Sequence, residues 1–116
     1  MAKFMFIYWG GDGGTTPPSP EEFQKVLAKW GAWVEKYMRT GQMIPGGDAL
    51  NPGGRLVHPT GKVTDGPYPE SKEIVGGYSL VDVKNYDEAV AIAKECPVLE
   101  SGGFVEIREL AGLAGP

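Results

Sequence analysis

Lys3-Phe4-Met5-Phe6-Ile7-Tyr8-Trp9 is the stretch whose reading decides the fold. Side chains on a strand alternate between faces, which puts Phe4, Phe6 and Tyr8 on one side and Met5, Ile7 and Trp9 on the other. Both sides are apolar, so both need cover. A layer of helices buries one face of a sheet, and something else must meet the second.

The elements that follow supply the helices. Ser19 reads as an N-cap, Pro20 as the first helical residue and Glu22 as the return half of a capping box, a device worth about 1 kcal/mol. Phe23, Val26, Leu27, Trp30, Val34, Tyr37 and Met38 recur at helical spacing on one stripe, and Gly41 ends the helix. On this spacing Trp30 falls mid-stripe and is expected in the core, while Trp33, at the edge, is the freer indole. Glycine and proline between Gly41 and Gly54 read as an ordered loop. Arg55 to His58 and Lys62 to Thr64 flank a Pro59 to Gly61 turn and read as a short hairpin.

Ile74 to Val83 is a longer strand, with Gly76 and Gly77 marking a bulge or a close backbone approach at its start. A second helix is predicted from Tyr86 to Cys96, capped by Asn85 and stopped by Pro97. Phe104 to Arg108 alternates as a last strand, with Val105 and Ile107 on one side and Glu106 and Arg108 on the other. This order predicts one α+β domain over residues 1–116 with a ferredoxin-like layout, an antiparallel sheet with two helices on one face. The face without helices is expected to meet a second copy, giving a homodimer.

Composition narrows the partners. Eleven basic against fifteen acidic residues leave a net charge of −4, which repels a phosphate backbone, so no nucleic acid is expected. The apolar run after Lys3 is too short for a signal peptide or a membrane span. A lone cysteine, Cys96, makes no internal disulfide and reads as a small buried hydrophobe. The expectation is a soluble cytoplasmic protein with no membrane partner.

The chemistry-bearing residues are few. Gly10 to Thr16 lies between strand and helix, where phosphate loops lie, but lacks their glycine spacing and Gly-Lys-Ser/Thr ending, and Pro17 and Pro18 separate it from the helix N-terminus. It reads as a connector from which Asp12 could line a pocket. One histidine and scattered carboxylates match no metal-ligand spacing, so neither metal nor cofactor is expected. His58 is either a hairpin surface residue or an acid/base group. Asp65 either caps the turn at Gly66-Pro67 through its side chain or stands as a carboxylate at a pocket mouth.

The stretch Asp65-Gly66-Pro67-Tyr68-Pro69-Glu70-Ser71-Lys72-Glu73, running into Ile74-Val75-Gly76-Gly77-Tyr78, resembles the signature of the YCII-related family in its DGPF subgroup, with Tyr68 in the place of the usual phenylalanine. The resemblance implies a dimeric α+β barrel type of ferredoxin-like fold and a ligand pocket near this motif. Some relatives carry a histidine in the first helix paired with an aspartate. The helix here has none, so that pair does not carry over. A few relatives look like dehydrochlorinases, which implies cofactor-free acid/base chemistry such as elimination or isomerisation, with Asp65 and His58 as candidate catalytic residues. Similar proteins also occur with extracytoplasmic-function sigma factors, which implies instead a non-catalytic ligand sensor or regulatory accessory. In either case the candidate ligand-binding residues are Tyr68, Gly76, Gly77, Tyr78, Trp9 and Trp33, and the ligand is a small organic molecule.

Overall fold

In the computed structural model, residues 2–10, 19–51, 53–66 and 74–113 are described. The chain runs β1 (Ala2–Gly10), α1 (Pro20–Arg39), β2 (Met43–Ala49), β3 (Gly54–Val57), β4 (Val63–Gly66), β5 (Ile74–Val83), α2 (Tyr86–Ala93), a 3-10 helix (Pro97–Ser101) and β6 (Phe104–Glu109). Four strands form one antiparallel sheet in the order β2-β5-β1-β6, and β3 pairs with β4 as a separate two-stranded ribbon. The result is an α+β fold with a central antiparallel sheet and two helices, compatible with the ferredoxin-like layout.

The caps work as their residue types dictate. Ser19 Oγ accepts from the Glu22 amide at 3.1 Å, and Asn85 Oδ1 accepts from the Glu88 amide at 3.0 Å, each satisfying an otherwise orphaned helix N–H. Gly41, at φ 80°, takes the left-handed position after α1 that only glycine occupies cheaply. The second helix ends at Ala93 rather than Cys96, and the chain reaches Pro97 through hydrogen-bonded turns in which the Glu95 and Cys96 amides donate to the Ile92 and Ala93 carbonyls.

Alternation along β1 sorts its faces as expected. Phe4, Phe6 and Tyr8 are buried with Val81, Val83, Trp33, Tyr37, Ala89 and Ile92 between sheet and helices. Met5, Ile7 and Trp9 are only half-buried on the opposite face. Cross-strand pairing sets Ile7 beside Tyr78 and Glu106, and Met5 beside Leu80 and Arg108. Among the described residues, this second face is left only half-covered.

Two irregularities shape the β2–β5–β1 region. Tyr8 pairs with Gly77 and Trp9 with Val75, which leaves Gly76 as an unpaired extra residue, the bulge its glycines suggested. On the other side, Ile44 pairs with Leu80 and Asp48 with Tyr78, so that Pro45, Gly46 and Gly47 stand opposite Ser79 alone. The Gly41 to Gly54 segment is thus partly an edge strand. Its proline and glycines hide it from propensity, and an edge position tolerates them because the missing amide faces no partner strand.

The stripe on α1 is divided rather than uniformly buried. Trp33 and Tyr37 are in the core, Trp30 and Val34 pack partly against it, and Phe23, Val26, Leu27 and Met38 remain exposed. The expected roles of the two indoles are therefore reversed. Trp33 is 5% exposed, and its Nε1–H donates to the Ile92 carbonyl at 3.2 Å, a bond that ties α1 to the end of α2.

Candidate functional site

Where α1 stands off the sheet, a cleft of about 510 Å³ opens between the helix and the β2–β5 edge. Its helix wall is Phe23, Val26, Leu27, Trp30, Val34 and Met38; its sheet wall is Tyr8, Met43 and the Ile44–Ala49 segment, with Gly76, Gly77 and Ser79 from β5. The exposed part of the helical stripe thus faces this space. The volume is within the range of about 300–1,000 Å³ typical of small-molecule sites.

The sheet wall is shaped by glycine. A Cβ on Gly47 would sit 2.5 Å from the Tyr78 carbonyl oxygen and 2.7 Å from Ser79 Cα, and one on Gly77 would sit 2.9 Å from the Asp48 carbonyl oxygen. These residues let β2 and β5 approach closely where the register slips. Tyr78 lies at the same junction, paired with Asp48 and Ile7.

Polar groups in the cleft are sparse. Tyr8 Oη donates to Ser79 Oγ at 2.7 Å in a buried bond. Burial pushes the Tyr8 phenol well above its ordinary range, and the Ser79 bond only partly offsets this, so Tyr8 stays protonated at any physiological pH. Trp30 meets the Tyr8 ring edge-on, centroids 4.9 Å apart at 82°. Asp48 is the single carboxylate among the described lining residues, exposed at the rim, with its Oδ1 accepting from the Ala49 amide at 2.8 Å. No lysine, arginine or histidine is among them.

The other sequence candidates divide cleanly. Gly76, Gly77 and Tyr78 line the cleft. Trp33 does not, because it is sealed in the core. Trp9 is on the open face of the sheet, where its indole stacks on Phe104 at 5.9 Å and donates to Glu106 Oε1 at 2.9 Å. That bond, with Arg108 beside it, holds the Glu106 carboxyl below its usual range. Asp65 and His58 belong to the β3–β4 ribbon. Asp65 has a side chain 92% exposed, 3.4 Å from Arg55 across the ribbon, and His58 Nε2 lies 2.9 Å from Thr64 Oγ1. Neither lines the cleft, since the ribbon joins no strand of the main sheet. Tyr68, Asp12 and the rest of the Gly11 to Pro18 and Pro67 to Glu73 segments lie outside the described residues.

Several cleft residues escaped sequence reasoning, Ser79, Asp48 and Met43 among them, and Met38 read only as part of the helical stripe. Ser79 is an ordinary strand serine until the register sets it under Tyr8. Tyr8 carried one signal, a buried-face hydroxyl that needs a partner. Among the described residues no cluster of histidine, cysteine and carboxylates has metal-binding geometry, and no helix is long and apolar enough to cross a membrane.

The chain is thus a small α+β domain with an apolar cleft, a hydroxyl pair in its wall, set between a helix and the edge of an antiparallel sheet. Residues 12–112 match the model of the YCII-related domain, and the chain belongs to that family. It is also similar to an uncharacterized protein of Rhizobium meliloti (strain 1021), with 29% identity over 113 residues that cover 93% of this chain and 91% of the relative.

Proposed function

We propose that this protein binds a small organic molecule in the cleft between α1 and the β2–β5 edge and acts as a homodimer in the cytoplasm. The observation that carries the reading is the unfilled apolar stripe. Phe23 and Leu27, 52% and 53% exposed, keep helical core spacing yet are left uncovered by the described residues, and a soluble domain leaves such surface bare chiefly where something binds. The dimer is supported by the open sheet face, where Met5, Ile7 and Trp9 are joined by Leu80 and Ile44 through the strand register.

Binding without turnover is the form of this reading we favour, a ligand sensor or regulatory accessory. The described cleft contains hydroxyls and one rim carboxylate, a poor set for moving protons at neutral pH. The motif Asp65-Gly66-Pro67 supports placement in the DGPF subgroup, where the link to extracytoplasmic-function sigma factors belongs. Acid/base catalysis by Asp65 and His58 is the second reading. It has in its favour a ribbon unattached to its own sheet, which a dimer could bring to the partner's cleft.

A two-dimensional NMR screen of small aromatic and alicyclic compounds tests the first reading. The Trp30 indole and Ala49 amide signals should shift saturably while the compound is recovered unchanged. Shifts confined to the ribbon, or none at all, would overturn it. For the second reading, Asp65→Asn should leave stability within about 0.5 kcal/mol, because an exposed ion pair contributes little, while abolishing any turnover found. Turnover that survives the substitution rules Asp65 out as the base.

A further inference from the structure

We infer that the ligand is an uncharged, flat ring compound, held between Trp30 and the sheet wall, whose one buried oxygen accepts a hydrogen bond from the Tyr8–Ser79 hydroxyl pair. The inference rests on the cleft being a ligand site and adds the chemical class it would take.

The argument begins with the hydroxyls. Tyr8 and Ser79 have two O–H protons between them and share one hydrogen bond of 2.7 Å. Whichever oxygen donates, one proton remains for a third group. Both residues line the cleft, Ser79 is only 8% exposed, and no acceptor for that proton is found among the described residues, so the cleft is the side from which a partner can reach it. The Tyr8 phenol stays protonated because burial raises its pKa, so the pair serves as a donor and not as a base.

The walls set the rest. An anion seated at the pair would be buried with no lysine, arginine or histidine among the described lining residues to offset its desolvation. Among the described lining residues a cation has only Asp48, which is exposed at the rim and already accepts a backbone hydrogen bond. A neutral ketone, ester, ether or hydroxyl oxygen carries neither cost. Phe23, Trp30 and Tyr8 present aromatic surface to the space, which favours a planar ring over a branched aliphatic. Met38 and Met43 are unbranched and polarizable, and adjust to ring substituents.

Four matched probes test this by titration against the full-length protein, read at the Trp30 indole N–H: acetophenone, ethylbenzene, benzoate and benzylammonium. Acetophenone should saturate, with benzoate and benzylammonium at least about tenfold weaker. The double variant Tyr8→Phe/Ser79→Ala removes both hydroxyls together, which leaves no orphaned polar group and preserves the fold, whereas either single change strands a partner. In it acetophenone should weaken about five- to tenfold and ethylbenzene should hold its affinity. Tighter binding of either charged probe overturns the uncharged class, and an acetophenone affinity unmoved by the double variant overturns the hydroxyl anchor. Both of those results leave the ligand cleft standing. If no probe moves the Trp30 signal while the variant remains folded, the cleft reading falls and this inference falls with it.

Discussion

Replacing Gly47 by alanine tests the cleft's architecture at its tightest point. The added Cβ would sit 2.5 Å from the Tyr78 carbonyl oxygen and 2.7 Å from Ser79 Cα, both backbone atoms that cannot rotate away. Ordinary contact begins near 3.4 Å, so β2 and β5 must part by most of an ångström across the strand that carries Ser79. Overpacking of this kind costs about 1–3 kcal/mol, which in a domain of this size lowers Tm by roughly 4–12 °C. Separation of the strands should also displace Ser79 from Tyr8. Gly31→Ala is the control: Gly31 is exposed in the middle of α1, and its Cβ would meet no atom within 4 Å. Alanine there should stabilise by about 0.5–1 kcal/mol through helix propensity and the unfolded state's lost freedom. Thermal melts by circular dichroism, with the Ser79 amide shift followed by NMR, measure both effects. A Gly47→Ala protein that melts with the parent, or a Gly31→Ala protein that falls with it, would refute the close-approach reasoning.

Further outcomes follow from the open face and the titrating groups. Ile7→Asp, at the centre of the open sheet face, should convert a dimer of about twice the 12.4 kDa chain mass to monomer in light scattering while the circular dichroism spectrum is kept; a parent that is already monomeric sinks the dimer. Glu95 is held below its ordinary pKa by the Tyr37 hydroxyl at 2.6 Å and by Lys36 at 2.9 Å. Its folded pKa is depressed, so the stability it contributes is present above the ordinary carboxylate range and is lost as pH falls through the folded value. Tyr37→Phe should move the Glu95 carboxyl titration upward, toward that ordinary range, when followed by NMR; an unmoved titration would show that the hydroxyl is not the cause. Cys96 is buried and its thiol is pushed up to about 11, so a disulfide reagent at pH 8 should react only as fast as the protein opens, and an immediate stoichiometric reaction would contradict its burial.

The residues most legible in sequence were those governed by local rules. Ser19, Asn85 and Gly41 bracket helices because caps satisfy backbone groups within a few residues, and β1 sorts Phe4, Phe6 and Tyr8 from Met5, Ile7 and Trp9 because a strand alternates wherever it is placed. Gly76 announced its bulge for the same local reason. The cleft was not legible, because it depends on how far two elements stand apart. A helical stripe says which residues share a face and not how deeply each part of that face is seated. Trp33 and Tyr37 turn into the core, whereas Leu27, Trp30, Val34 and Met38, interleaved with them along the same helix, line the cleft, so Trp30 became wall while Trp33 became core.

Periodicity, caps and the signature around Asp65 determined from sequence alone that this is an α+β chain of the YCII-related family with an apolar sheet face on each side. Only the tertiary structure decided that Ser79 meets Tyr8, that Pro45-Gly46-Gly47 slips the register opposite Ser79, and that Asp65 and His58 ride on a ribbon apart from the cleft. The physical reason is distance along the chain. Caps and alternation act between neighbours, whereas a hydroxyl pair 71 residues apart in sequence exists only once strand register and helix seating have been chosen together.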